Sequence, residues 1–285
     1  MSGTISLIDG DIIVYRSGFA AEKRMFVLHK ADGTTIPFEH RKDAAEASEE
    51  GDYIEHERYA EPVSNALHST KLIMQELTKG SYEVFLTGGN NFRKEVATLL
   101  PYKANRDKVG KPIHYRAIRD YLIKHWGAKV VDGQEADDEI GIRATEIKKE
   151  GGIPIIVSID KDLRMIPGTH YNWVTGTVEQ VTEFDAWYNF FKQCLVGDRT
   201  DNIPGIAGIG EKKAVAILDG CSTKASLQEA VEAAWCRAYP SGFVKADGSS
   251  TTWDRALREV KELLWIRRAR PHEEETRRHI GGIGY

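Results

Sequence analysis

The sequence predicts an α/β fold built on a largely parallel sheet. Short apolar runs alternate with helical patterns. The clearest buried strand, IPIIVSI at 153–159, stops at an aspartate, Asp160. SLIDG (6–10) and AKVVDG (128–133) likewise run into Asp9 and Asp132. Open parallel sheets carry their sites at the carboxyl ends of strands, so these three positions point to one active edge.

The remaining elements follow in order. After SLIDG comes a charged insertion, about 20–61, in which RMFVLHKADGTTIPF has a hairpin look around Asp32-Gly33. HRKDAAEASEEGDYIEHERYAEP then reads as an exposed excursion. Ser64 is placed to cap a helix carrying Leu67, Leu72, Met74 and Leu77, stopped by Gly80. YEVFLT (82–87) is the next strand, and PIHYRAIRDYLIKHW (112–126) is a helix between Pro112 and Gly127. The acidic segment EADDE opens a helix that ends at Gly151-Gly152, and HYNWVTGTVEQVT (170–182) is a hairpin turning at Thr175-Gly176. Helical patterns dominate beyond, which places a domain boundary near residue 185: a catalytic domain over 1–185 and a helical domain over 186–285.

A chain of 285 residues with 41% hydrophobic and 29% charged residues has the composition of a soluble globular protein. No basic, apolar leader opens it and no apolar run reaches the ~20 residues that span a bilayer. Cys194, Cys221 and Cys236 show no CxxC spacing, which fits free thiols in a reducing cytoplasm. The net charge of −4 hides a pattern. From Lys103 to Lys129 eight Lys or Arg face two acids, and acids dominate from Asp132 onward. A basic stretch beside an acidic one suits a polyanion held next to divalent metal, and it equally suits an exposed helix.

Five of the eight residues from Asp132 to Glu139 are acids. Two carboxylates ~4 Å apart repel by roughly 4 kcal/mol at an effective dielectric near 20, so water or a cation must offset them. The acids that can converge on the sheet edge are Asp9, then Glu135, Asp137 and Asp138, then Asp160 and Asp162, then Asp198 and Asp201. Oxygen ligands without His or Cys point to Mg²⁺ or Mn²⁺, and eight acids suit two ions rather than one. Two such ions ~4 Å apart serve phosphodiester hydrolysis. Glu139 and Glu146 read as solvated helix charges. Asp11 is either an outer partner of the site or a turn residue, and Asp162 either a ligand or the cap of LRMIPG.

NIPGIAGIGEKKAVAIL (202–218) is the second specific pattern. Gly205, Gly208 and Gly210 allow sharp turns and close approach to a phosphate, and the helix opening at Glu211 points free N–H groups at an anion. Lys212 and Lys213 add charge. This is a helix–hairpin–helix pattern, which reads backbone phosphates and no bases, the alternative being an ordinary turn between two packed helices.

Together IDGD (8–11), PYKANRD (101–107), EADD (135–138), SIDKD (158–162) and VGDRTDNIPGIAGIGEKKA (196–214) resemble the 5′-nuclease superfamily, most of all the bacteriophage 5′–3′ exonucleases. The resemblance implies a PIN-like core, a helical arch over about 103–127, and a C-terminal helix-three-turn-helix unit that binds duplex. It implies a 5′–3′ exonuclease or flap endonuclease, acting in replication or repair on DNA with 5′ ends or flaps. The eight acids would hold two Mg²⁺ or Mn²⁺, directly or through water, and Lys103 and Arg106 would contact the scissile phosphate, stabilising its developing charge. A potassium ion would sit on the backbone carbonyls of Leu195, Val196, Pro204, Ile206 and Ile209. A monomer in a bacterial or phage-infected cytoplasm, without membrane contact, completes the expectation.

One departure stands out. Where many family members carry an aspartate after the second core strand, this sequence has Gly88, Gly89 and Asn90. Either Asn90 or Asn91 supplies a neutral oxygen there, or a water fills the place. Two rival readings stay open: a DNA-binding protein that lost turnover, and a nuclease acting on RNA–DNA hybrids.

Overall fold

The strands expected of the central sheet all form, within two residues of their expected ends. The computed structural model describes residues 3–104 and 110–270, with the side chain of Arg24 left aside. The chain opens with β1 (Thr4–Asp9), α1 (Gly10–Ala20), β2 (Glu22–His29), β3 (Thr35–Phe38), α2 (Arg41–Glu46), β4 (Tyr53–Ala60) and α3 (Val63–Leu77). Then come β5 (Ser81–Thr87), α4 (Arg93–Val96), α5 (Tyr115–Trp126), β6 (Lys129–Val131), α6 (Ala136–Lys149) and β7 (Ile153–Val157). A 3₁₀ turn (Asp162–Met165) leads to β8 (Gly168–Asn172) and β9 (Thr177–Val181), followed by α7 (Glu183–Val196), α8 (Glu211–Leu218), α9 (Lys224–Ala238) and α10 (Trp253–Leu264).

The chain forms two compact units. The first comprises Met1–Ile12, Leu77–Gly110 and Gly127–Tyr285. Its sheet has the order β6-β5-β1-β7-β8-β9, parallel throughout except for the last pair. Ile8 pairs with both Val84 and Val157, so β1 lies at the centre, flanked by β5 and β7. That centre is apolar on both faces, as a covered parallel sheet must be. Leu7, Ile8, Val84, Phe85, Ile156 and Val157 are all buried. The expected hairpin closes the far edge, with Gly176 at φ +71° in its turn.

The boundary expected near residue 185 does not fall there, because one core runs across it. Leu7, Phe85 and Ile140 from the sheet side share a buried cluster with Phe190, Phe191, Trp235 and Leu263 from the helices. Trp187 of α7 stacks on Trp265 at 4.9 Å, and α7 packs against the 3₁₀ turn as well as α8, α9 and α10. Such shared burial is what makes a single folding unit.

The second unit comprises Ile13–Glu76 and Lys111–Trp126. The stretch read as an exposed excursion contains α2 and β4, and β4 pairs with β2 along its whole length in an antiparallel sheet of order β3-β2-β4. YIEHERYA is too charged to announce itself as a strand; its partner and one ion pair stabilise it. The Glu22 side chain of β2, almost fully buried, accepts Nε of Arg58 of β4 at 2.9 Å, Nη2 of the same arginine at 2.7 Å and the Ile113 amide at 2.6 Å. Among the described residues no helix is long and apolar enough to cross a membrane.

Candidate metal centre

Parallel pairing of β1 with β5 and β7 brings the ends of three strands together, and the acids that follow them gather there. Asp9 is 3% exposed at the end of β1. It accepts the Ile12 amide at 3.2 Å and the Ser158 hydroxyl at 2.9 Å. Burial, then the neighbouring Asp11 carboxylate and further off Asp160, push its carboxyl up to about 7 despite those hydrogen bonds. Asp137, in the first turn of α6, is raised well above the ordinary carboxylate range by burial and by Asp9, Asp160, Glu135 and Asp138.

A second group lies beyond Asp160. The Asp162 carboxyl is pushed up to about 7 by burial and then by Asp160, Asp198 and Asp201, with Lys161 opposing. Gln193 donates to it at 3.2 Å. Asp198 accepts the Thr200 amide at 2.7 Å and the Asp201 amide at 3.3 Å, holding the turn that carries Asp201. Asp160 therefore faces both groups, Asp9 and Asp137 on one side and Asp162 on the other. Buried carboxyls that retain protons to near neutrality have no adequate counter-charge of their own. An oxygen-only set of this kind fits hard divalent cations.

Part of the counter-charge comes from Lys103, the expected phosphate contact. Its ammonium pairs with Glu135 and lies 3.5 Å from Asp201, and its amide donates to the Asp201 carbonyl at 2.8 Å. Lys103 adopts φ +60°, a strained value for a side-chain-bearing residue. Tyr102 beside it donates to Asp201 at 2.8 Å and Glu135 at 3.2 Å. Arg106, the other expected contact, lies outside the described residues.

The structure corrects several expectations. Asp138 turns away from the acid groups: its carboxylate takes Arg93 at 2.5 and 2.9 Å, the Glu135 amide at 3.1 Å and the Arg267 amide at 3.0 Å. Burial alone would raise this carboxyl, but Arg93 and the two amides hold it below the ordinary value. Asp132 is exposed and bound to Asn90 by backbone and side chain at 3.1 Å, so this strand-end acid does not join the centre. The Asn91 side-chain oxygen is taken up elsewhere: it accepts the Arg93 amide at 3.0 Å, while the Asn91 amide nitrogen donates to Glu135 at 2.7 Å. A side chain at Gly88 would put Cβ 2.4 Å from the Val131 carbonyl, which explains the glycine where an acid was expected. Glu139 and Glu146 are not simply solvated; both pair with Arg270. Asp11 accepts the Thr87 amide at 2.8 Å, tying α1 to the end of β5.

In the glycine loop, Gly208 (φ +76°) and Gly210, the residue before α8, stand in open space. Gly205 does not. A Cβ there would meet the Val196 backbone at 2.3–2.4 Å, so this glycine serves packing rather than phosphate approach. Lys212 and Lys213 are exposed at the start of α8, and Lys213 donates to the Gly208 carbonyl at 2.9 Å. Of the five carbonyls expected to hold potassium, Leu195 accepts the Ile206 amide at 2.8 Å and Ile206 the Ile209 amide at 3.0 Å.

Sequence reasoning passed over Ser158, Tyr102 and Arg93 as site residues. The first two stood inside SIDKD and PYKANRD, but a hydroxyl's role depends on which acid the fold sets beside it. Among the described residues, the one trio with metal-ligating atoms mutually within 4.8 Å is His29, Glu55 and Glu57, on the three-stranded sheet of the second unit. Glu55 there is 56% exposed, and Tyr59 donates to Glu57.

No family model matches the chain. It is 31% identical over 147 residues to a 5′-3′ exonuclease of Buchnera aphidicola, covering 47% of this chain and 48% of that protein. It is 36% identical over 130 residues to the exonuclease of Escherichia phage T7, 44% of this chain and 43% of the relative. With the flap endonuclease Xni of Shewanella piezotolerans the identity is 32% over 165 residues, 53% of this chain and 64% of the relative. The chain thus spans about half the length of the curated relatives it matches. The chain also aligns with a crystal structure of the T5 D15 protein co-crystallised with metal ions, with a TM-score of 0.48 and 17% identity over 92% of this chain and 99% of that one. Over roughly half of its length the chain is thus similar to 5′–3′ exonucleases and flap endonucleases.

Proposed function

We propose that this protein is a divalent-metal-dependent 5′–3′ exonuclease or flap endonuclease that hydrolyses DNA phosphodiesters near 5′ ends. One observation carries the reading: Asp9, Asp137 and Asp162 are crowded with other acids and raised far above ordinary carboxylates. Such a centre is unfavourable without cations and stable with them. Asp9, Glu135, Asp137 and Asp160 would hold one ion, and Asp160, Asp162, Asp198 and Asp201 a second, as Mg²⁺ or Mn²⁺. When bound, the pair supplies an activated water and charge for the leaving oxygen.

The chain's own residues do the rest. Ser158 bonds Asp9 and accepts the Asp160 amide at 3.0 Å, keeping the acid shared by both groups in place. Lys103 brings an ammonium to the edge where a scissile phosphate would enter, with Arg106 nearby in sequence. The N-terminus of α8, with Gly208, Gly210, Lys212 and Lys213, offers amides and charge to duplex phosphates as the second half of a helix–hairpin–helix. A potassium ion at this loop would have to use the second lone pairs of the Leu195 and Ile206 carbonyls. Residues about 103–127 would form the arch, with α5 as its helix.

The test is cleavage of 5′-labelled duplex, 5′-flap and RNA–DNA hybrid substrates with Mg²⁺, Mn²⁺ or EDTA. Metal-dependent release of short products from DNA is expected. Tight binding without cleavage would reject the reading in favour of a DNA-binding protein, and preference for the hybrid would move the substrate class to RNA.

A further inference from the structure

The segment that follows α10 lies against α6, and its contacts end on the acid-bearing turn. Arg93 is 3% exposed, and Asp138 is completely buried. Besides its two bonds to Asp138, Arg93 donates to the carbonyls of Leu263 and Trp265, each at 2.8 Å. The Arg267 amide donates to Asp138, its guanidinium donates to Gln134 at 3.1 Å and lies 3.8 Å from the Phe92 ring centre. One turn along α6 a Cβ on Gly141 would stand 2.3 Å from the Arg267 carbonyl, so only glycine lets the segment approach this closely. Farther on, Arg270 donates to Glu139 at 2.8 Å and Glu146 at 2.9 Å.

We infer that residues 265–270 are a strap that fixes the rotation of α6, and that Asp138 is a positioning residue for the metal centre rather than a ligand. This rests on the metal-centre reading above. Adjacent helical residues diverge by about 100°. With Asp138 locked onto Arg93 and the strap, Asp137 must face Asp9 and Asp160, and the Glu135 amide is pinned to the same carboxylate. A buried fork in which Arg93 donates four hydrogen bonds and the Asp138 carboxylate accepts four does not rotate without breaking several of them together. Outer partners of this kind change metal affinity by about 10–100-fold when removed.

The experiment combines Mn²⁺ titration calorimetry with hydrogen exchange at residues 135–139, on the full chain, for wild type, Gly141→Ala, Arg93→Lys and Asp138→Asn. Gly141→Ala pushes the strap outward without touching an acid. Arg93→Lys keeps the charge but loses the fork, and it serves if the glycine variant does not fold. All three variants are expected to speed exchange in 135–139 and weaken Mn²⁺ about 10–100-fold, with the wild-type stoichiometry kept. Loss of one bound Mn²⁺ in Asp138→Asn alone, with Gly141→Ala and Arg93→Lys binding like wild type, would make Asp138 a ligand and overturn the inference. Unchanged exchange in all variants would also overturn it. Wild type that binds no Mn²⁺ would reject the metal-centre reading instead, while the exchange data still decide whether the strap holds α6.

Discussion

Ser158 donates its hydroxyl to the Asp9 carboxylate at 2.9 Å, joining the turn after β7 to the end of β1. It is one of two hydrogen bonds that oppose the burial of Asp9. Removing it should leave the Asp9 carboxyl higher still. A hydrogen bond to a charged group contributes about 1.5 kcal/mol, close to one pKa unit. Ser158→Ala should therefore move the acid limb of the pH dependence of Mn²⁺ affinity upward by about one unit, because a proton on Asp9 competes with the ion, with a plateau near wild type. An unmoved limb would mean that Asp9 does not control it.

Stability of the metal-free protein should fall as pH rises. Asp9 and Asp162 sit near 7 in the fold against an ordinary 3.8, so between those values the folded chain holds protons that the unfolded chain releases. Their protonation supports the fold fully below about pH 4, and the support is lost as pH climbs through about 7. For buried Asp9 the change is on the order of a few kcal/mol. Urea denaturation in EDTA at pH 5 and pH 8 would measure it, and Mg²⁺ at pH 8 should restore the difference by binding the folded state.

Lys103 pairs with Glu135 in the acid centre. Lys103→Ala should lower kcat by about 10²–10³-fold, as loss of one charge-stabilising donor does, with DNA affinity changed only a few-fold. Single-turnover cleavage and fluorescence anisotropy in EDTA separate the two effects. Equal losses in both would reduce Lys103 to general phosphate attraction.

Gly205 and Gly210 should separate packing from phosphate approach. Gly205→Ala forces a methyl against the Val196 backbone and should destabilise the fold by about 2 kcal/mol or more. Gly210→Ala meets no atom within 4 Å, so its melting temperature should stay near wild type while duplex affinity falls if its amide faces a phosphate. Thermal unfolding and a duplex titration check both.

By itself the sequence determined the central sheet, the strand-end positions of Asp9 and Asp160, the acid-rich start of α6 and the resemblance to 5′-nucleases. These are local matters: a continuous apolar run, a cap, a glycine, a carboxylate at fixed spacing. Tertiary structure decided the rest. It turned Asp138 to Arg93, about forty-five residues away in the chain, bound Asp132 to Asn90, and set Ser158 between Asp9 and Asp160. It also carried a single core past residue 185 and paired charged YIEHERYA with β2. Spacing along a chain says which carboxylates can reach a common edge. Which of them remain free to hold a cation depends on where the arginines and amides of distant segments are packed, because a buried carboxylate turns toward whichever counter-charge the fold places beside it.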